Sequence, residues 1–330
     1  NFSLFLTQIF YTMKRVLSLL IFVLLLNGCD DGNLTLETIS FDKTTTQSCS
    51  TNNLIYKLKD KEALLLEIPQ TTFVNEPTDV DNPISKDIDN SNFRVVYRFY
   101  NGTVSSDNIC NTIPPATPFA TDQWTGTSGI IQITTTALKT TNTTENSTRI
   151  TGYNHNIVFK NITFAKNSGT QVYETFPFGD YVTAATTLPF GFDKVVDYCT
   201  TSKQLYNYVS AEALTIDNID PGLIVNVETP LNTPRTALIG AVQNKLVYRL
   251  YSGVLTPSYF CGTTIPTLPL VKEEWNGVAG TSGIIEVTTI KNGTSAYKHT
   301  IVIKNATLKK GNSDFRLGDN YLYGELTTTN

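Results

Sequence analysis

The sequence predicts an all-β protein built from two tandem copies of one antiparallel domain. Three observations predict this fold class: a composition that favours strands, an internal repeat, and apolar residues that alternate along the repeated segments. The 330 residues are 40% hydrophobic, 11% aromatic and 16% charged, which is typical of a folded chain long enough for two domains. Thr, Asn, Tyr, Phe, Ile and Val dominate, and this bias favours strands and turns over helices.

The chain contains the same ordered set of motifs twice, which is the signature of a duplicated structural unit. The matched pairs, first copy and then second, are Phe41-Asp42-Lys43 and Phe192-Asp193-Lys194, Cys49 and Cys199, Glu62-Ala63-Leu64 and Glu212-Ala213-Leu214, Val96-Tyr97-Arg98 and Val247-Tyr248-Arg249, Cys110 and Cys261, Trp124 and Trp275, Thr127-Ser128-Gly129 and Thr281-Ser282-Gly283, His155 and His299, and Gly179-Asp180 and Gly318-Asp319. We therefore place repeat 1 at residues 34–184 and repeat 2 at residues 185–330.

Within each repeat, apolar and polar residues alternate with a period of two. Leu64, Leu66 and Ile68 share one face of a predicted strand. Glu67 lies on the other face. Alternation broken by clusters of Gly, Pro and Asn indicates half-buried antiparallel strands. We predict that each repeat is an antiparallel β-sandwich, immunoglobulin-like or related. A jelly roll or a short barrel is the alternative.

A basic pair followed by an apolar run is typical of a secretory signal. Lys14 and Arg15 follow Met13, and the apolar run after them extends from Val16 to Leu26. Such a run is too short to remain in a bilayer as a spanning helix. We interpret residues 13–28 as a signal peptide. Residues 1–12 precede the only methionine, and we interpret them as translated upstream sequence.

The segment Leu26-Asn27-Gly28-Cys29 resembles the lipobox of bacterial lipoproteins, although Asn27 departs from the small residue usual there. In that family the cysteine is diacylated and the leader is removed just before it. The resemblance implies lipidation at Cys29, with residues 29–33 as a tether and membrane lipid as a partner.

Two acidic residues, Asp30 and Asp31, follow the cysteine. They resemble the surface-export signals of lipoproteins in the Bacteroidetes group, which implies an outer-membrane protein on the cell surface. In other Gram-negative bacteria, Asp at this place resembles an inner-membrane retention signal. An orientation towards the periplasm is therefore the alternative.

With Cys29 assigned to lipid, four cysteines remain in an oxidising compartment and allow three pairings. The repeat selects Cys49–Cys110 and Cys199–Cys261, because a bridge between the copies would break their equivalence. Each bridge closes a loop of about 60 residues and contributes about 4 kcal/mol by the chain-entropy argument.

The two histidines stand at matched positions. His155 has the parity of Ile157, and His299 has that of Ile301. We predict that each ring points inward at the edge of the core, since one histidine per repeat makes a poor zinc site.

A Ser-His-Asp set can be assembled on paper in each repeat from Ser128, His155 and Asp180, and from Ser282, His299 and Asp319. Such chemistry needs the serine against the imidazole and the carboxylate behind it. However, Ser128 lies in a Gly-Thr-Ser-Gly segment that we interpret as a hairpin turn, and the segment lacks the nucleophile elbow. We therefore assign no catalytic residues.

One acidic loop occurs in repeat 1 only, and its acids are Glu76, Asp79, Asp81, Asp87 and Asp89. Oxygen ligands at alternate positions suit Ca²⁺, although the spacing does not fit an EF-hand. We interpret the loop as a solvated surface. Asp79, Asp81, Asp87 and Asp89 are kept as the calcium candidate, and no other cofactor is expected.

Large aromatic residues recur in both copies, notably Trp124, Trp275, Tyr100 and Tyr251. An exposed row of such rings would stack on sugars, so these four are candidate ligand contacts. The alternative is that the tryptophans belong to the core or pack on the disulfides.

The net charge of −4, with no basic stretch, excludes nucleic acid as a partner, because phosphates require clustered Lys and Arg. We expect a lipid-anchored, non-enzymatic binding or adhesion module for glycans or proteins. One alternative is a structural or accessory subunit of an envelope or nutrient-uptake complex. A hydrolase is the least favoured interpretation.

Overall fold

The computed structural model describes residues 39–79, 81–262, 264–280 and 283–329. The chain divides into two compact units, Asn1–Asp42 and Lys43–Asn330. In the first unit the described residues are 39–42, where the Ser40 hydroxyl donates to the Asp42 carboxylate over 3.0 Å. The elements below all belong to the second unit.

The described part of the second unit is all-β, as the sequence predicted. In residues 43–184 its strands are β1 (Gln47–Ser48), β2 (Leu54–Lys59), β3 (Glu62–Glu67), β4 (Ile84–Asp87), β5 (Arg94–Tyr100), β6 (Ala120–Asn142), β7 (Ser147–Lys166) and β8 (Gly169–Ala184). In residues 185–329 they are β9 (Asp197–Cys199), β10 (Gln204–Val209), β11 (Glu212–Asp217), β12 (Arg235–Leu238), β13 (Lys245–Tyr251), β14 (Val271–Gly277), β15 (Ile284–Asn292), β16 (Ala296–Lys304), β17 (Thr307–Lys310), β18 (Ser313–Arg316) and β19 (Asn320–Thr329). The helical elements are one 3₁₀ turn (Gln70–Thr72), α1 (Asp107–Cys110) and α2 (Ser258–Cys261).

These strands form antiparallel sheets. The first has the order β1-β2-β3-β5-β6-β7-β8, with β4 beside β6. The second has the order β18-β17-β14-β13-β11-β10-β9, and the third has the order β12-β15-β16-β19. Matched residues take equivalent registers, because Tyr97 opposes Trp124 and Tyr248 opposes Trp275. The repeat in the sequence is therefore also a repeat of strand pairing.

Three long strands of repeat 1 correspond to pairs of strands in repeat 2: β6 to β14 and β15, β7 to β16 and β17, and β8 to β18 and β19. Strand β6 continues through register shifts between Gly126 and Ser128 and between Ser128 and Ile130, with Gly129 at a φ of 127°. A β-bulge bends a strand without ending it. The hairpin turn predicted around Ser128 is therefore wrong, since this segment is strand.

Inward-facing residues of neighbouring sheets form the core of repeat 2. One buried cluster contains Leu214 and Tyr248 of the second sheet together with Ile285 and Ile301 of the third. Burying these apolar side chains supplies the main driving force for folding. In repeat 1 the residues that match Leu214, Ile285 and Ile301 are also buried, namely Leu64, Ile131 and Ile157, whereas Tyr97, which matches Tyr248, is half-buried.

The two repeats contact each other along a seam within the second unit. The hydroxyls of Tyr153 and Ser313 lie 3.0 Å apart and are buried. The backbone N–H of Asn312 donates to the Glu76 carboxylate over 2.8 Å. One acid of the predicted solvated loop therefore contacts repeat 2.

Arg149 lies on this seam. Its guanidinium donates to the carbonyl of Arg316 over 3.1 Å, and its Cζ is 4.6 Å from the ring centroid of Phe190 and 5.4 Å from that of Phe315. Cation–π contacts of this kind stabilise partly buried arginines. A cavity of about 330 Å³ lies beside Arg149, and we treat it as part of the seam because the arginine is already engaged there.

Candidate functional site

The predicted lipid site Cys29, the signal peptide, the tether and Ser282 lie outside the described residues. In the part of the chain that is described, no helix has the length and apolar character needed to span a membrane.

Both predicted disulfides are present, with Cα–Cα distances of 5.4 Å for Cys49–Cys110 and 5.5 Å for Cys199–Cys261. Each joins the first strand of its repeat, or the turn after it, to a one-turn helix. In repeat 1 the bridge lies in a buried cluster with Tyr56, Leu65 and Val96. We call this side of the sheet the outer face, because Leu65 points away from the core residues on either side of it.

Both histidines have no exposed surface, as their parity predicted. In repeat 1, Nδ1 of His155 lies 2.9 Å from Oγ1 of Thr135, and Nε2 lies 2.9 Å from Oγ1 of Thr183. The Thr183 hydroxyl donates to the side-chain oxygen of Asn75, so it accepts from Nε2 and Thr135 donates to Nδ1. Burial lowers the pKa of His155 to about 4. The ring is therefore neutral at pH 7.

Repeat 2 has the same arrangement. Nδ1 of His299 lies 2.8 Å from Oγ1 of Thr289, and Nε2 lies 2.8 Å from Oγ1 of Thr328. The Thr328 hydroxyl donates in turn to the side-chain oxygen of Asn226. Burial, together with the charge of Arg235, lowers the pKa of His299. Both nitrogens of each ring are engaged by threonine, which gives the rings a structural role.

The catalytic set of repeat 1 is not assembled. Ser128 opposes Thr163 on β7, while His155 is held by its two threonines. The Asp180 carboxylate accepts a hydrogen bond from the amide of Asn156 over 2.8 Å. In repeat 2 the Asp319 carboxylate accepts from Arg316 and Asn146. No contact between a nucleophile and a base is therefore found among these described residues.

The acids of the calcium candidate differ in their surroundings. Asp87 ends β4. Asp89 accepts the backbone N–H groups of Ser91, Asn92 and Phe93, and these bonds, Phe93 first, lower the pKa of its carboxyl. Among the described residues, no three His, Cys, Asp or Glu side chains are grouped as a metal site. The candidate set Asp79, Asp81, Asp87 and Asp89 thus stays a prediction from the sequence.

The four aromatic residues proposed as ligand contacts are buried. Trp124 is 3% exposed, and Trp275, Tyr100 and Tyr251 are each 4% exposed. Trp275 belongs to the core of repeat 2, and the two tyrosines lie in the clusters around the disulfides. An exposed stacking row of these rings is therefore ruled out, because their area is already used to fill the interior.

A different candidate site lies on the outer face of repeat 1, where a cavity of about 220 Å³ opens beside α1. We call this cavity the outer pocket. Its apolar floor consists of Leu54, Leu65, Val96 and Ile109. Its polar rim consists of Asn52, Asn53, Glu67, Arg94 and Arg98. The register of β3 and β5 places these residues side by side, because Leu65 opposes Val96 and Glu67 opposes Arg94.

Two arginines give the rim of the outer pocket its positive charge. Arg94 and Arg98 are four residues apart on β5 and therefore share a face, on either side of Val96. Nη1 of Arg94 lies 3.9 Å from the Glu67 carboxylate, with both side chains close to half exposed, which makes a weak ion pair. Nε of Arg98 donates to the neutral amide oxygen of Gln123 over 2.8 Å.

The matching surface of repeat 2 has a different shape. Phe260 stands where repeat 1 has Ile109, and it is buried. Its ring centroid lies 4.7 Å from that of Tyr206 and 5.3 Å from that of Tyr208. The larger ring thus packs on two tyrosines, whereas Ile109 borders the outer pocket of repeat 1.

The arginine of the matching surface also has a different partner. Arg249 stands where repeat 1 has Arg98, and its Nε lies 2.8 Å from the carboxylate of Glu274, which replaces Gln123. Burial disfavours the charged form of Glu274, but the hydrogen bond and charge of Arg249 outweigh it and lower the pKa of that carboxyl. The arginine of repeat 2 is therefore neutralised, whereas that of repeat 1 is not.

These features define an all-β, disulfide-bonded protein with duplicated structure and a pocket on the outer face of repeat 1. Comparisons with protein families, curated proteins and solved structures found no match.

Sequence reasoning did not find the outer pocket. The available signal was the set of differences between two otherwise matched copies, in particular Ile109 against Phe260 and Gln123 against Glu274. These positions are far apart in the chain, and only the sheet brings each pair to one face.

Proposed function

We propose that this chain is a lipid-anchored binding protein of the cell envelope, with two tandem antiparallel β-sandwich domains and no catalytic activity. The anchor is the acylated Cys29, and the location is the outer membrane, facing the cell surface. Repeat 1 binds a glycan at the outer pocket, and repeat 2 supports it structurally.

One observation carries this proposal: the two copies share their framework and differ at the outer face. The disulfides and the histidine–threonine contacts recur in both copies. By contrast, the outer pocket opens beside Ile109, whereas the matching Phe260 is buried and packs on Tyr206 and Tyr208. A polar-rimmed pocket with an apolar floor is the usual form of a small-ligand site.

The test is to apply the full-length protein in detergent to an array of glycans and envelope proteins. Saturable binding to a group of related glycans is expected, and Ile109→Phe should abolish it because the larger ring would occupy the pocket. The matched control is Phe260→Ile, which should leave binding in repeat 1 intact. Failure to bind any member of the array would overturn the proposal.

A second candidate function, an accessory subunit of an envelope complex, is favoured by the loops that follow the disulfides. These loops expose large apolar side chains: Ile113 is 86% exposed, Ile265 63% and Leu268 68%. Exposed apolar surface of this kind marks contacts with other proteins. A specific partner that copurifies with the wild type but not with an Ile265→Asn, Leu268→Asn variant would support this function over glycan binding.

A further inference from the structure

The ligand of the outer pocket can be defined more narrowly, and the definition rests on the binding function proposed above. We infer that the outer pocket binds the carboxylate-bearing sugar at the end of an acidic glycan, with the carboxylate at Arg98 and the ring on the part of the floor formed by Leu54 and Ile109.

The pairing of the matched arginines Arg98 and Arg249 carries the first step. In repeat 2, Arg249 is bonded to Glu274, and Lys245 opposes Asp217 across the strands. The two cations that match Arg98 and Arg94 therefore each have a carboxylate, beside Arg249 and opposite Lys245.

Repeat 1 keeps both cations but has a single carboxylate among the residues that line the pocket, Glu67. Gln123 accepts a hydrogen bond from Arg98, but its neutral side chain does not cancel the charge of the arginine. Asp107 of α1 does not line the pocket. Burial raises the pKa of the Tyr56 hydroxyl, and the negative charge of Asp107 adds to this effect. Arg98 therefore presents a positive charge that a bound anion would neutralise.

The arrangement of the rim assigns the two ends of the ligand. Nη1 of Arg94 already lies 3.9 Å from the Glu67 carboxylate. An anionic ligand therefore interacts more favourably with Arg98, which has no carboxylate beside it among the residues that line the pocket. Because Nε of Arg98 is engaged by Gln123, its terminal N–H groups are left to donate to a carboxylate. A neutral ligand would bury the charge of Arg98 without a counter-ion, and burying an unpaired charge costs binding free energy.

The remaining lining suits a sugar rather than a simple anion. Leu54 and Ile109 line the pocket and are only partly buried, so they offer an aliphatic surface to the C–H face of a pyranose ring. Asn52, Asn53 and Glu67 provide hydrogen-bonding groups for hydroxyls at the opposite end. A volume of about 220 Å³ holds one ring rather than a chain, so the ligand is the end of a glycan.

The experiment is calorimetric titration of the full-length protein in detergent with glucuronate, glucose and inorganic phosphate at low ionic strength. Glucuronate should bind, and glucose and phosphate should bind about tenfold more weakly or not at all. Gln123→Glu, which copies the neutralised arrangement of repeat 2, should weaken glucuronate binding about tenfold. Glu274→Gln is the matched control in repeat 2 and should change nothing.

The outcomes separate this inference from the function on which it rests. Equal affinity for glucose and glucuronate, or unchanged binding by Gln123→Glu in a folded variant, would overturn the acidic sugar while leaving glycan binding in place. Equal affinity for phosphate would show a general anion site and would overturn the sugar. If neither the free sugars nor any member of the glycan and protein array bound, both the inference and the proposed function would fail.

Discussion

Nδ1 of His155 lies 2.9 Å from the hydroxyl oxygen of Thr135, and the same contact recurs at 2.8 Å between His299 and Thr289. Thr135 lies directly opposite His155 across β6 and β7. The second ring nitrogen reaches a threonine on the next strand, so each imidazole joins three neighbouring strands. These buried polar contacts lead to the first two predictions.

Stability should fall as the pH decreases from about 6.5 to about 4. A histidine in the unfolded chain titrates near pH 6.5, whereas burial lowers the pKa of His155 to about 4. Between these values the unfolded chain binds a proton that the native protein does not bind, so the free energy of unfolding decreases with decreasing pH. The loss is up to about 1.4 kcal/mol per pH unit for each histidine. Urea unfolding at several pH values measures it, and His155→Gln should show a shallower dependence. A slope equal to that of the wild type would contradict the prediction.

Thr135→Val should destabilise the protein by about 1–3 kcal/mol, because it leaves a buried acceptor on His155 without its donor. The matched control is Thr136→Val, which changes the exposed neighbour on the same strand and should stay within about 0.5 kcal/mol. Denaturant unfolding at neutral pH compares the two variants. Equal effects would show that the contact between Thr135 and His155 is not a stabilising one.

Each disulfide should contribute about 4 kcal/mol to stability. The bridges close loops with sequence separations of 61 and 62 residues, so the chain-entropy argument assigns them nearly the same value. Unfolding of the double variants Cys49→Ala, Cys110→Ala and Cys199→Ala, Cys261→Ala would measure both. A large difference between them would mean that native contacts at one bridge, rather than loop closure, dominate its effect.

Arg149→Ala should lower stability by about 1–3 kcal/mol and reduce the cooperativity of unfolding. The substitution removes two cation–π contacts that join the repeats, together with the packing of a half-buried side chain. Differential scanning calorimetry should show a broadened or divided transition. Arg94→Ala, which removes a half-exposed arginine away from the seam, is the control and should preserve the transition. A single sharp transition in both variants would argue that the seam does not couple the repeats.

Cys29→Ser should release the protein from the membrane fraction, because acyl chains supply the anchor in the lipoprotein proposal. Labelling with a fatty-acid analogue, followed by cell fractionation, measures this. An Asp30→Asn, Asp31→Asn variant should retain the lipid but lose accessibility to protease added to intact cells. Retention of label by Cys29→Ser would disprove the assigned lipid site.

Several features were predictable because they depend on residues near in sequence or on the repeat itself. The alternation at Leu64 and Leu66 predicted a strand with one buried face, and both side chains are fully buried. The pairing of Cys49 with Cys110 followed from the equivalence of the copies, and the structure has that bridge. The parity of His155 with Ile157 predicted that its ring is buried, because residues two apart on a strand share a face.

Two expectations failed for reasons that the local sequence does not contain. The segment around Ser128 has the composition of a turn, yet pairing with β7 extends it through a bulge as strand. The recurrence of Trp124 and Trp275 suggested aromatic ligand contacts. Trp124 is buried, however, and packs edge-on against Tyr97 with ring centroids 5.2 Å apart. In both cases, partners from another strand decided the outcome.

By itself the sequence determined the all-β class, the duplication, the two bridges and the inward direction of the histidines, because a period of two and a repeat are properties of the chain. Only the tertiary structure decided that Thr135 and Thr183 hold His155, that Glu76 joins the seam, and that Arg98 and Ile109 share a pocket. These relationships depend on the register and bending of strands, which place distant residues on one face, and a linear pattern does not specify them.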